Sequence, residues 1–161
     1  MPGPQDCTPF RTLSIMPIIL GLDVGDVRIG VAISDELGFA AHPLCTITRK
    51  NRKTDLTAIC DLINAHQVEA VVIGLPLMLD GEVGIQAEKV QKFANRLKRE
   101  VCIPIHLRDE RLTTVEASEI LREVGKPRKK QRNVIDQVAA VVILDGYLND
   151  LRESIGENHR L

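Results

Sequence analysis

The 161-residue sequence has no tryptophan, and aromatic residues make up only 2 % of it. The core must therefore be built from aliphatic side chains, and a surface on which nucleobases stack against aromatic rings is not expected. No apolar run is long enough to span a membrane, and the first fifteen residues lack the apolar core of a signal peptide. These absences favour a soluble globular protein with no membrane partner.

The cysteines also lack the pattern of a metal site. Cys7, Cys45, Cys60 and Cys102 are far apart in the sequence and form no CxxC pair, so the spacing of a zinc site is missing. Cys60 falls on the apolar face of a predicted helix, and Cys102 lies in a strand-like run. We interpret the cysteines as small buried hydrophobic residues, and we expect a reducing, cytoplasmic environment.

The length suits one domain with a sizeable core. Residues 1–15 are rich in proline and have no periodicity, which predicts a flexible extension, and Met16 is an alternative start because the first strand follows it. We place the domain at residues 16–150 and a polar tail at residues 151–161. The formal net charge of −1 does not by itself indicate a nucleic-acid partner, although a local basic patch is compatible with it.

The stretch "IILGLDVGDVRIGVAIS" contains two apolar runs joined by a charged turn, which predicts a hairpin of two buried strands. A third strand ending at Thr48 follows. Pro104 favours an edge or irregular position for the last strand, "VCIPIHL". Helical periodicity predicts four helices, at Thr54–His66, Ile85–Glu100, Thr113–Val124 and Asn133–Leu148. The order βββαβαβαα predicts an α/β fold with a five-stranded mixed sheet flanked by helices.

Acidic residues stand at the ends of several predicted elements. Asp23 ends the first strand, Asp109 and Glu110 follow the fifth, and Asp136 lies in the first turn of the last helix. Two or three converging carboxylates are what a pair of Mg²⁺ or Mn²⁺ ions needs, because these cations prefer oxygen ligands. In such sheets, ligands gather at the carboxyl ends of strands.

Each acid also has a structural interpretation. Asp23 could be a turn residue, and Asp109 and Glu110 could mark a solvated strand end. Asp136 could occupy position N3 of a helix capped by Asn133, where the helix dipole favours negative charge. Against this, three residues with which Asp136 shares a helix face would let the helix approach the sheet and bring Asp136 towards Asp23. These residues are Ala139, Ala140 and Ile143.

Basic residues lie close to the candidate acids. Arg28 and Arg111 each neighbour one of them, which indicates either a structural ion pair or a phosphate contact. The stretch "KPRKKQR" precedes Asp136, and it is either a solvated loop or a mobile loop that binds a phosphate backbone. Its basic residues are Lys126, Arg128, Lys129, Lys130 and Arg132. A basic helix face is a weaker indication of the same kind, and it comprises Lys89, Lys92, Arg96 and Arg99.

Four stretches together resemble the YqgF/RuvX family, in this order and at these separations. They are "LGLDVGDVRIGVAIS", "VVIGLPLMLDG", "RDERLTT" and "IDQVAAVVIL". The resemblance covers Ile18 to about Asp150. It implies a ribonuclease H-like fold close to the Holliday junction resolvases, and a nuclease that matures the 5′ end of pre-16S rRNA.

The resemblance also implies roles for individual residues. Asp23, Glu110 and Asp136 match the three catalytic, metal-binding carboxylates, with Asp109 as a neighbour of unassigned role. In related resolvases the second acid lies at the end of the fourth strand. Here that strand ends in Gly74-Leu75-Pro76, so the site relies on the stretch containing Glu110 instead.

Three functions compete at this stage. The first is a metal-dependent endonuclease acting on structured RNA, such as ribosome precursors, or on branched DNA. The second is a sugar-kinase or actin-like ATPase, because "DVGDVRIG" resembles a phosphate-binding hairpin of that superfamily, although such proteins need two domains. The third is a nucleic-acid-binding module without catalysis, against which the three retained carboxylates argue. The oligomeric state stays open.

Overall fold

The computed structural model describes residues 16–77, 81–110 and 129–158, with side chains in the last segment described over 135–154. Within these residues, five strands and three helices follow one another along the chain. The strands are β1 Ile19–Val24, β2 Arg28–Ser34, β3 Ala41–Thr48, β4 Ala70–Leu75 and β5 Ile105–Asp109. The helices are α1 Arg52–His66, α2 Ile85–Glu100 and α3 Lys129–Asn158. The predicted helix Thr113–Val124 lies outside the described residues.

The strands form one mixed sheet in the spatial order β3-β2-β1-β4-β5. The hairpin of β1 and β2 is antiparallel, as is the pairing of β2 with β3, whereas β4 runs parallel to both β1 and β5. The predicted hairpin therefore lies within the main sheet, and β5 is an edge strand, as the proline at position 104 indicated. The parallel strands β1, β4 and β5 bring their carboxyl ends to one edge of the sheet.

Helices cover both faces of the sheet. On one face, α1 and α2 bury an aliphatic core that includes Leu22, Ile73 and Leu97. On the other face, α3 packs Ala140, Ile143 and Leu144 against the same strands. Each strand alternates its side chains between the two faces, so the sheet is buried on both sides, as expected for a layered α/β fold. No helix among those described is long and apolar enough to cross a lipid bilayer.

The last helix is longer than predicted at both ends. It begins at Lys129 rather than Asn133, so Asp136 lies in the third turn and not at position N3. The structural interpretation of Asp136 as a capping acid is therefore wrong. The helix also continues past Leu148 to Asn158, into the segment predicted as a polar tail. The extension is favoured because Leu151 still packs on the core beneath α3, and Arg152 donates to the backbone oxygen of Phe39.

The interpretation of the cysteines as small buried residues is corrected for Cys102, whereas Cys7 lies outside the described residues. Cys102 is exposed in a bend before β5 and takes part in a disulfide, rather than lying within the strand. Cys45 and Cys60 are half-buried and free, and burial raises the pKa of both thiols. Cys102 departs from the prediction because Pro104 delays the start of β5 to Ile105.

Two glycines of the hairpin allow α3 to lie directly on the sheet. A Cβ added at Gly30 would overlap the backbone carbonyl of Asp136, and one at Gly21 would lie 2.8 Å from the Cβ of Leu144. Separations this short leave no room for any side chain at these two positions. The sequence shows the small residues of the helix, but the closest contact depends on glycines in the strands.

We expect Gly30→Ala to destabilise the protein by about 3 kcal/mol, because α3 would have to move away from the sheet. The matched control is Gly146→Ala in α3, where the added Cβ meets only the flexible end of Arg108. The control should be neutral or stabilising by up to about 1 kcal/mol, since alanine favours a helix over glycine. Urea unfolding of both variants measures the difference. Equal stability of Gly30→Ala and the wild type would contradict the close packing.

Candidate active site

Asp23 lies near the end of β1, at the edge where the parallel strands end. It pairs in register with Gly30 of β2, and its side chain faces the helix α3. Burial, and to a smaller extent the negative charge of Asp136, raises the pKa of Asp23 to about 6. The carboxyl group thus lies in an environment that opposes its ionisation, next to another acid.

Glu110 is brought to the same edge by the end of β5. Its backbone N–H donates to the carbonyl oxygen of Leu75 at 3.1 Å, which holds it beside the end of β4. Its carboxylate lies over Gly74, where an added Cβ would be 2.6 Å from Oε2. Burial, followed by the negative charges of Asp23 and Asp109, raises the pKa of Glu110 to about 7.

Asp136 reaches the site from α3, and its backbone lies over Gly30. The Nε of Arg28 donates to its Oδ2 at 2.8 Å in a half-buried ion pair. The first of the two alternatives for Arg28, a structural ion pair, therefore describes this structure. The same ion pair directs the carboxylate of Asp136 towards β2.

The three predicted carboxylates are thus brought to one side of the sheet from β1, α3 and the segment after β5. The pKa values of Asp23 and Glu110 are both raised, chiefly by burial and in addition by the charge of neighbouring carboxylates. In the described part of the chain, no group of three His, Cys, Asp or Glu side chains is arranged to hold a metal ion. Their catalytic and metal-binding roles therefore stay predictions.

The turn between β1 and β2 is held by a buried ion pair that the sequence analysis missed. Arg49 donates from Nη1 to the carbonyl oxygen of Gly25 at 2.8 Å and from Nε to Asp55 at 3.1 Å. The carboxylate of Asp55 also accepts from the backbone N–H of Lys50 at 3.0 Å. One signal was available, because Asp55 precedes Ile59 by four residues and so continues the apolar stripe of α1. A carboxylate at such a position requires a partner.

The remaining predicted basic residues are only partly described. Arg111, Lys126 and Arg128 lie outside the described residues. Lys129, Lys130 and Arg132 belong to the first turns of α3. The prediction of a loop over this basic stretch is therefore wrong for residues 129–132, which are helical.

The sheet order and the acids at its carboxyl edge define a ribonuclease H-like fold. The structure resembles Thermus thermophilus RuvC in complex with a Holliday junction substrate, with a TM-score of 0.56 at 12 % identity. That alignment covers 86 % of this chain and 97 % of the RuvC chain. A fowlpox virus resolvase complexed with Holliday junction DNA aligns with a TM-score of 0.53 at 12 % identity, over 83 % and 98 % of the two chains.

The sequence narrows this class to one family. Residues 17–150 match the family described as RuvX, Holliday junction resolvase, and the chain belongs to that family. A protein of Moorella thermoacetica named "Putative pre-16S rRNA nuclease" is 50 % identical over 136 residues, which are 84 % of this chain and 97 % of the relative. A protein of the same name from Syntrophus aciditrophicus is 50 % identical over 135 residues, 84 % and 90 % of the two chains. The predicted family and fold are both confirmed.

The raised pKa values predict a pH-dependent stability in the absence of divalent metal. The native state binds protons more tightly at Asp23 and Glu110 than the unfolded chain does. Their contribution to stability is therefore fully present below about pH 4 and falls as the pH rises through about 7. As the pH rises from about 5 to about 8, the free energy of unfolding of Asp23→Asn and of Glu110→Gln should each increase by about 1–2 kcal/mol relative to the wild type.

Urea unfolding in a metal chelator at the two pH values measures this gain. Asp26→Asn is the control, because Asp26 is exposed in the turn at the same edge of the sheet. A gain that does not change with pH in either site variant would show that its carboxylate is not held in a disfavoured charged state.

Proposed function

We propose that this protein is a metal-dependent endonuclease that hydrolyses phosphodiester bonds of structured nucleic acid. The observation that carries the proposal is the closeness of Asp23 to Glu110 at the carboxyl edge of the sheet, where the negative charge of Asp23 raises the pKa of Glu110. Carboxylates whose ionisation is opposed by burial and by a neighbouring negative charge favour the binding of a cation. Membership of the RuvX family and the names of relatives that are 50 % identical support the same activity.

The donor set suits a hard divalent cation. Asp23, Glu110 and Asp136 offer only carboxylate oxygens, which Mg²⁺ and Mn²⁺ prefer, and we propose that the three side chains hold two such ions. When bound, these ions lower the pKa of a coordinated water and stabilise the charge on the attacking and leaving oxygens. Asp109 is exposed beside Glu110, and we assign it no ligand role.

In this proposal Arg28 has both of the roles considered above, first as a structural ion pair and then as a phosphate contact. In the ion pair with Asp136, its guanidinium occupies the place of a cation next to the third carboxylate. Once Asp136 turns towards the other two acids, Arg28 becomes available at the same edge to donate to a phosphate oxygen. The metal ions would thus replace the guanidinium of Arg28 beside Asp136, and Arg28 would contact the substrate.

The proposed substrate is the 5′ end of pre-16S rRNA, and the proposed partners are ribosome precursors. The support comes from the curated relatives, which share half of their aligned residues with this chain. The second candidate substrate is branched DNA. It is favoured by the description of the family and by the likeness in fold to resolvases solved with Holliday junctions.

Cleavage assays test both the activity and the site. With Mg²⁺ or Mn²⁺, the wild type should cut a pre-16S rRNA 5′ leader or a four-way DNA junction, and a chelator should abolish cutting. We expect Asp23→Asn, Glu110→Gln and Asp136→Asn each to reduce the rate by about 10²-fold or more, because the transition-state charge loses its stabilisation.

Asp26→Asn serves again as the control and should retain the rate of the wild type. Thermal unfolding adds a readout that does not depend on activity. Mg²⁺ should raise the midpoint of the wild type more than that of the three variants, since ligands that bind the native state stabilise it. Cleavage by the wild type in a chelator, or full cleavage by Asp23→Asn, would contradict the proposal.

The basic stretch of residues 126–132, which includes the first residues of α3, is proposed as a contact to the phosphate backbone. Replacing Arg128, Lys129 and Lys130 with alanine should weaken binding to any nucleic-acid sequence. The slope of log affinity against log salt should fall by roughly 0.7–0.9 for each lost contact. Metal affinity should hardly change, because the carboxylates remain. An unchanged salt slope in the triple variant would assign these residues to a solvated surface.

A further inference from the structure

We propose that one face of α2 is a second contact surface for the phosphate backbone of the nucleic acid, outside the cleavage site. The inference rests on the proposed function, since it concerns the substrate of the same protein. The face consists of Lys89, Lys92, Arg96 and Arg99, which we call the α2 basic stripe. It binds the backbone through charge and not through base sequence.

The spacing of the four residues makes the α2 basic stripe continuous. Steps of three, four and three residues keep the side chains on one side of the helix, away from the buried stripe that includes Phe93 and Leu97. Ten residues of helix extend about 15 Å, which equals the rise of roughly four to five base pairs of a duplex. The stripe is therefore long enough to follow several consecutive phosphates.

An open groove of 290 Å³ runs along the C-terminal part of the stripe. It is lined by Lys92, Asn95, Arg96 and Arg99, so every lining side chain carries hydrogen-bond donors. Arg96 is half-buried, whereas the other three residues are exposed. Guanidinium groups in such a groove can donate two hydrogen bonds to one phosphate, which an aliphatic or neutral surface cannot do.

The cations of this groove form no ion pair with an acid in the part of the chain that the structure describes. None of the described carboxylates forms a salt bridge with Lys92, Arg96 or Arg99, although Glu88 lies one turn before Lys92. Most other described arginines are engaged, as the ion pairs of Arg49 and Arg108 show. A row of unpaired cations repels itself, and a polyanion relieves this repulsion and releases its own counterions.

The stripe begins at the same edge of the sheet as the candidate active site, although α2 covers the face of the sheet opposite to α3. Lys89 forms an exposed salt bridge at 3.3 Å with Asp26 in the turn between β1 and β2. That turn directly follows the strand that carries Asp23. From there α2 runs back along the sheet, because it connects the carboxyl end of β4 to the start of the parallel strand β5. A backbone that passes from the cleavage site over this edge onto the face covered by α2 would meet Lys92, Arg96 and Arg99 in order.

Binding measurements in the Asp23→Asn background test the inference without cleavage. The probes are a fluorescein-labelled RNA duplex, the DNA duplex of the same sequence and a four-way DNA junction, each followed by anisotropy over a range of salt. For Lys92→Gln/Arg96→Gln/Arg99→Gln we expect roughly tenfold weaker binding and a salt slope smaller by about 2 to 3. The binding of RNA and of DNA should weaken to the same extent, because the stripe contacts only the phosphates.

A matched pair of single variants controls for net charge. Arg99→Gln should lower the salt slope by roughly 0.7–0.9, whereas Lys98→Gln should leave it unchanged, because Lys98 lies on the other side of the same helical turn. This pair decides the question even if the triple variant fails to fold. Equal slopes in Arg99→Gln and Lys98→Gln, or in the triple variant and its parent, would overturn the inference.

The two proposals can fail separately. Cleavage by the wild type together with an unchanged salt slope in the α2 variants would contradict the role of the α2 basic stripe but support the nuclease activity. A reduced slope in those variants without any metal-dependent cleavage by the wild type would support the role of the α2 basic stripe but contradict the nuclease activity. If neither RNA nor DNA binds to the Asp23→Asn protein at low salt, the stripe has no polyanionic nucleic-acid ligand and the inference is wrong.

Discussion

The direct contact between the backbone of α3 and the central hairpin governs the arrangement of the candidate site. At Gly30 the helix lies so close that not even a methyl group fits beneath the carbonyl of Asp136. This closeness covers Asp23 and places a second negative charge beside it, and both effects raise its pKa. The same approach brings Arg28 within reach of Asp136. A helix standing off by the thickness of one side chain would leave Asp23 more hydrated.

The fold therefore holds carboxylates in positions where their negative charge is unfavourable. Asp23 and Glu110 are held side by side in a half-buried position, and Arg28 forms an ion pair with Asp136. Such an arrangement destabilises the protein without a ligand and favours the binding of cations, as catalytic sites commonly do. The hairpin turn that supports the site is held separately, because Arg49, in its buried pair with Asp55, donates to the carbonyl oxygen of Gly25.

Charge is distributed in a way that the near-neutral total conceals. The net charge of −1 combines acids gathered at the carboxyl edge of the sheet with cations on α2 and at the start of α3. A cluster of carboxylates alone would repel a nucleic acid. Bound cations at the acids and exposed cations around them would together give the phosphate backbone a favourable path.

The sequence by itself determined the order of the strands along the chain, the central hairpin and the helix Ile85–Glu100, because alternating and helical hydrophobic patterns are local. It also indicated the acids, since Asp23 ends an apolar run. Only the tertiary structure decided that Asp136 lies in the third turn of α3, that Gly30 receives this helix and that Arg28 pairs with Asp136. These features depend on contacts between residues about a hundred positions apart, and no local pattern records which glycine will face which turn.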